Sequence, residues 1–214
     1  MAAQDKPTTS RLEDARARMY RDLIFEAAEC VFGERGFEGA TMQDIAGEAG
    51  VSLKTVYASY PGKRELFDAI MHERGAALFA HVRDAVARTS ERGPLSQLEA
   101  LTHAFVEFLF EHREWLAIHL RSRIAWSVRP SDDVAADLWR QGLEDYEGLI
   151  GEGIERGEFA PGDAFELAVL VSTLMKVAVT FAADRGDTEA APVAARTFTH
   201  LERLLCASKD AGPA

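Results

Sequence analysis

The side chains best placed for chemistry lie between Thr41 and Lys63, in TMQDIAGEAGVSLKTVYASYPGK. From Val51 to Arg64 the chain carries Lys54, Lys63 and Arg64 and neither Asp nor Glu. Cations and neutral donors without competing carboxylates suit phosphate oxygens, and amide or ammonium groups suit base edges. Lys63 opens a predicted helix, where its ammonium and the free backbone N–H groups can engage one phosphate. Tyr57 follows the core-facing Val56, so its phenol points outward and can donate to a phosphate. Leu53, Lys54 and Thr55 fall on the first turn of a short helix, the part that reaches bases in a groove. Gln43, at the start of the preceding helix, matches adenine bidentately. Blander readings compete: a solvated Lys63, and a Tyr57 packed between helices.

The elements that must position these groups are legible. Met42, Ile45, Ala46 and Ala49 recur at i, i+3, i+4 and i+7, one apolar face of a helix. Thr41 and Asp44 have capping-box spacing before that face. Gly50 suits the left-handed stop, Val51 tucks into the corner, and Ser52 caps a second helix running to about Tyr60. Pro61 and Gly62 end it. Two short helices joined by a tight Gly turn are the arrangement whose second helix enters the major groove.

Bond-making chemistry finds little support. None of His72, His81, His103, His112, His119 or His200 has Glu three residues before it, so the di-iron carboxylate pattern is missing. Gly151, Gly153 and Gly157 miss the dinucleotide fingerprint by one residue, in a helical run without a preceding strand. His103 and Glu107 share a helix face but lack further ligands at metal spacing. Cys30 and Cys206 are far apart and read as reduced thiols. No enzyme activity, cofactor or metal is expected.

The stretch from Arg21 to Met71 resembles the TetR-type bacterial transcriptional regulators. The matching features, in order, are AA-x-x-x-F-x-x-x-G-F ending at Phe37, T-x-x-D-I-A from Thr41, A-G-V-S from Ala49, T-V-Y from Thr55, and Y-P-G-K-R-E-L-F from Tyr60. The resemblance implies DNA contacts from Thr41, Gln43, Lys54, Thr55, Tyr57, Ser59 and Lys63, and Ser52, Leu53 and Ala58 of the same turn and helix join them as candidates. Two departures stand out. Ala58 offers only a methyl, suited to thymine, and Gly62 replaces the usual Ser or Asn cap.

Composition qualifies this picture. The 214 residues carry 24 Lys and Arg against 35 Asp and Glu, a formal net charge of −11. That is the wrong sign for non-specific coating of nucleic acid, and it favours a local basic surface on a site-specific binder. Residues 1–10 lack the apolar core of a signal peptide, so a cytoplasmic protein without membrane association is expected.

The fold class expected is all-α, with no strand-like alternation anywhere. Residues 1–16 read as a flexible arm, 17–77 as the helix-turn-helix domain, and 78–208 as a regulatory, ligand-binding and dimerisation body. Helix one runs to about Gly33, with Gly36 as its stop. Further helices span about 63–89, 95–111, 131–156 with Ser131 as cap, and 163–184 with Asp163 and Glu166 as cap pair. The last opens at Thr188 or Pro192 and ends near Ser208. The segment from Asp163 to Ala183 is apolar on more than one face, and the resemblance implies that the last two helices pair into a homodimer. Val171 and Leu201 are expected mid-interface. In the body, Phe105, Phe108, Trp115, His119, Trp126, Trp139, Tyr146 and Met175 are candidates to line an effector cavity, although aromatic stripes are more often core. Arg123, with Arg121 and Arg129, places cationic groups near Trp126, suiting a flat or acyl effector with a negative end, while solvated surface arginines are the blander and favoured reading. The reading that follows is a ligand-responsive repressor acting as a homodimer on a palindromic double-stranded operator. Its rival is a helical ligand-binding or enzymatic dimer whose head no longer binds DNA.

Overall fold

The computed structural model describes residues 8–121 and 133–206, and every regular element among them is helical. The chain divides into two compact units, Met1–Met71 and His72–Ala214. In the first unit α1 spans Thr8–Gly39, α2 Met42–Glu48, α3 Leu53–Ser59, and α4 begins at Lys63. Helix α1 therefore begins inside the stretch expected to be an arm. It also continues past Gly33, with its break at Gly36 (φ 71°, ψ 170°) and a last turn beyond.

Hydrophobic burial holds this unit together. Ile24, Ala28 and Phe32 of α1, Ile45 of α2, Val56 of α3, and Leu66 and Ile70 of α4 are all fully buried. Each of the larger side chains contributes about 1.5–3 kcal/mol. An aromatic trio closes one side: Phe67 stands edge-on to Phe32 at 5.3 Å and to Phe37 at 5.0 Å.

In the second unit α4 continues to Ala87. The rest is α5 (Pro94–Glu111), α6 (Arg113–Arg121), α7 (Asp133–Glu155), α8 (Ala164–Asp184) and α9 (Ala190–Leu205). Helix α5 is its centre, packing along α9 and against α6, α7 and α8, while α7 lies along α8. Leu98, Leu101, Phe105, Val106, Phe108 and Leu109 are buried, so α5 is apolar nearly all round, as a central helix must be. Its buried Thr102 donates to the Leu98 carbonyl (2.7 Å), which removes the cost of burying a hydroxyl. The free N–H of Leu95 finds the Glu158 carboxylate at 3.1 Å, a helix-start donor satisfied from a distant loop.

Asp163 caps α8 by accepting from the Glu166 N–H, as its spacing predicts. One face of α8 is buried through Ala168, Val171, Met175, Val179 and Ala182, while Leu170, Val177 and Phe181 are exposed. Val171 and Leu201 are fully buried within the chain. They belong to its own core, not to an outer face, because the 3.6-residue period alone does not say which of two apolar faces turns inward. Helix α8 is long and apolar enough to cross a membrane by length and composition. The expected cap Ser131 lies outside the described residues.

Candidate nucleic-acid interface

The turn from α2 to α3 is built from short-range hydrogen bonds. The Thr41 hydroxyl accepts from the Asp44 N–H at 3.1 Å, and the Asp44 carboxylate accepts from the Thr41 N–H at 3.1 Å. This is the reciprocal capping box that the spacing predicts. The Thr41 hydroxyl also donates to that carboxylate at 2.6 Å, and Arg35 pairs with it at 2.6 Å. Thr41 first, and then Arg35, hold the Asp44 carboxyl below its usual range. Gly50 adopts φ 65°, and the Val51 N–H returns to the Ala46 carbonyl at 3.0 Å. A side chain at that φ is disfavoured, so glycine fits the helix stop there. Ser52 caps α3 by accepting from the Thr55 N–H at 3.1 Å.

The expected DNA contacts separate into two sets. Gln43, Lys54, Tyr57 and Ala58 are exposed, with Tyr57 at 50%. Leu53 is half-buried on the first turn of α3. The second set is occupied within the protein. Thr41 binds Asp44, the Ser52 and Thr55 hydroxyls share a 2.8 Å hydrogen bond, and Ser59 donates to the Thr55 carbonyl at 3.2 Å. Each of these hydroxyls keeps a lone pair or proton for an outside partner.

Lys63 differs most from its expected setting. Its Nζ donates to the carbonyls of Phe37 (2.6 Å) and Ala40 (2.9 Å) and lies 4.5 Å from the Phe37 ring centroid. Arg64 stacks over the same ring at 4.4 Å. Lys63 thus pins the last turn of α1 to the start of α4, with two of its three protons committed. Sequence spacing gave no signal for these partners, which lie 26 and 23 residues away. A Cβ at Gly62 would come within 2.6 Å of the Glu65 carboxylate, the tip of an exposed, flexible side chain that can move aside.

In the body, Phe105, Phe108, Trp115, His119, Tyr146 and Met175 are all buried. Three of them form a run, with Phe108 and Trp115 edge-on at 6.0 Å and Trp115 and His119 at 4.5 Å. Burial, and then the charge of Lys176, push His119 down to about 3, so it is neutral at neutral pH. Burial raises the Tyr146 phenol well above its ordinary value. Arg123 and Trp126 lie outside the described residues, as does the Trp139 side chain. A cleft lined by Val82, Val86, Leu101, Leu149, Asp145 and Arg83 contains none of these candidates.

Residues 24–70 match the family model described as bacterial regulatory proteins, tetR family. The chain is 29% identical over 141 residues to the transcriptional repressor KstR2 of Mycobacterium tuberculosis, covering 66% of this chain and 70% of that protein. It is 35% identical over 92 residues to the transcriptional activator FasR of Mycolicibacterium smegmatis, covering 43% of this chain and 41% of that one. The solved structure of the ketosteroid transcriptional regulator KstR2 of Mycobacterium tuberculosis superposes with a TM-score of 0.71 at 24% identity, covering 88% of this chain and 95% of that one. The capped helix-turn-helix and the family match agree over residues 24–70, which are similar to the DNA-binding segment of TetR-type bacterial regulatory proteins, and the fold of the whole chain is shared with such regulators.

Proposed function

We propose that the chain is a homodimeric, ligand-responsive repressor that binds a palindromic operator and releases it when a small-molecule effector occupies the body. The observation that carries the DNA reading is the outer face of α3, where Lys54, Tyr57 and Ala58 are exposed on a capped helix in an acid-free stretch. Leu53, Lys54 and Thr55 then meet base edges, and Gln43 reads a neighbouring base. The Ala58 methyl meets a thymine methyl. Thr41, Ser52, Tyr57, Ser59 and the third proton of Lys63 serve phosphates. Exposed Lys54 and Tyr57 weigh against a head that has lost DNA binding.

The dimer reading rests on α8 and α9, where Leu170, Val177, Phe181 and Leu204 stay exposed on the isolated chain. Exposed apolar side chains of this size on the last two helices favour burial against a second copy. Two heads then meet half-sites about 34–36 Å apart, one helical turn, and an effector that alters their spacing by a few ångströms disfavours DNA. The repressor sign follows KstR2, matched over about two thirds of this chain and named a repressor. That protein's description as a ketosteroid transcriptional regulator agrees with a flat apolar effector. In this reading the effector is bound and not turned over, and the protein is cytoplasmic.

Sedimentation equilibrium at low micromolar concentration tests the assembly. The unmodified chain is expected to be a dimer without DNA or effector, and Phe181→Glu a folded monomer with much weakened operator binding. A compact monomer for the unmodified chain would sink the two-headed mechanism.

A further inference from the structure

A cleft of about 270 Å³ opens within the second unit between α4, α5 and α7. That is just under the roughly 300–1,000 Å³ of sites for drug-sized ligands, so it suits a small molecule. Val82 and Val86 of α4, Leu101 of α5 and Leu149 of α7 supply most of its apolar lining. Helical spacing adds the polar groups to the same faces. Gln97 stands four residues before Leu101, and Asp145 and Glu152 stand four before and three after Leu149.

These polar groups are acceptors with capacity left over. Gln97 is only 8% exposed, and its amide N–H donates to the Ser90 carbonyl at 3.2 Å. Among the described residues nothing donates to its Oε1. Arg83 faces one oxygen of Asp145 at 3.5 Å, and Arg156 holds one oxygen of Glu152 at 3.0 Å. The second oxygen of each carboxylate meets no donor among the described residues. Glu152 is in the closer pair. At Asp145, burial raises the carboxyl and the Arg83 charge offsets this only in part, which leaves a place for a second cation.

The chemistry of an occupant follows from this imbalance. Among the described residues lining the cleft Arg83 is the one cation, and it is already paired, so an anionic ligand would meet carboxylates and no free charge. An alcohol brings one proton and no charge. An ammonium brings three donors and the charge that Asp145 lacks.

We propose that this cleft binds a small organic amine, with Asp145 as counter-charge, Gln97 Oε1 as a second acceptor, and the apolar body on Val82, Val86, Leu101 and Leu149. The site goes beyond the effector reading above, because it shares no residue with the aromatic run of Phe108, Trp115 and His119 and needs no effect on DNA.

The test titrates the full chain by calorimetry at neutral pH with two probe pairs that differ only in the head group. One pair is octylamine and octanol, the other 2-phenylethylamine and 2-phenylethanol. At least one amine is expected to bind roughly tenfold or more tightly than its alcohol, the scale of one charge-assisted hydrogen bond. Asp145→Asn should abolish that preference and leave alcohol binding intact, which shows that the cleft still forms. Gln97→Met should weaken the amine several-fold. Arg83→Gln should act in the opposite direction, strengthening the amine several-fold by freeing Asp145, so a variant that merely unfolds the body cannot mimic the pattern. Equal affinity within both pairs overturns the proposal, as does the lack of amine binding up to millimolar concentration. A preference that survives Asp145→Asn also overturns it, and reports only the attraction of cations to a chain with a formal net charge of −11.

Discussion

The two units of the chain satisfy their polar groups over different distances. In the head, Thr41 with Asp44, Ser52 with Thr55, and Ser59 with Thr55 all close within three or four residues. In the body some buried hydroxyls also turn to their own helix, as Thr102 and Thr197 do. Its decisive groups instead face other elements. Glu158 reaches the start of α5, Lys176 acts on His119 of α6, and the Trp115 indole N–H has no acceptor among the described residues. Short-range closure makes a head whose outer face is ready before any partner arrives. A body with open polar positions is suited to a partner that completes it.

The largest expected effect breaks the body alone. Leu201 is fully buried, so Leu201→Glu places a charge in the core and is expected to cost about 4 kcal/mol or more. Urea unfolding followed by circular dichroism reads this. A stable, folded Leu201→Glu monomer would instead put Leu201 on a subunit interface.

Lys63→Ala tests an exception in the head, a long-range pin between α1 and α4. Loss of two charge-assisted hydrogen bonds is expected to destabilise the head by about 1.5–3 kcal/mol. If the third proton meets a phosphate, the salt dependence of DNA binding also falls by about one unit of slope. Unchanged stability with a lowered slope would make Lys63 a phosphate contact and nothing more.

Acid titration probes the body through His119, held down to about 3 by burial and then by Lys176. The unfolded chain protonates this imidazole first, near its ordinary value of about 6.5. Stability is therefore full above that pH and declines as pH falls from there towards the folded value. The slope is about 1.4 kcal/mol per pH unit, or about 2 kcal/mol between pH 6.5 and 5. Comparing the wild-type slope with that of His119→Gln isolates this contribution, and identical slopes would show that the imidazole charges freely in the folded body.

The same contrast explains what the sequence made legible. The capping box at Thr41, the Ser52 cap, the Gly50 stop and the Asp163 cap follow from residue types a few positions apart, where local geometry leaves few choices. The partners of Lys63 and the influence of Lys176 on His119 depend on which helices pack together, and spacing does not encode that. The fate of α8 was half legible. Two apolar faces were visible, but Val171 proved to be core while Leu170, Val177 and Phe181 stayed outside. The start of α1 at Thr8 was missed because the polar residues before Leu12 carry no apolar period.

The smallest effect on stability belongs to Lys54, which is exposed, so Lys54→Ala should change folding by less than about 0.5 kcal/mol. Its effect should fall on recognition, and it leads to the measurement closest to the central claim. Selection of binding sites from random duplex DNA by the full chain is expected to return a palindrome with half-sites one helical turn, or a multiple of it, apart. Selection by Lys54→Ala should return the same palindrome with one or two base pairs relaxed by about 1–3 kcal/mol each. No enriched palindrome from the unmodified chain would contradict the account of a dimeric, sequence-reading regulator, and an unrelaxed motif from the variant would remove Lys54 from base recognition.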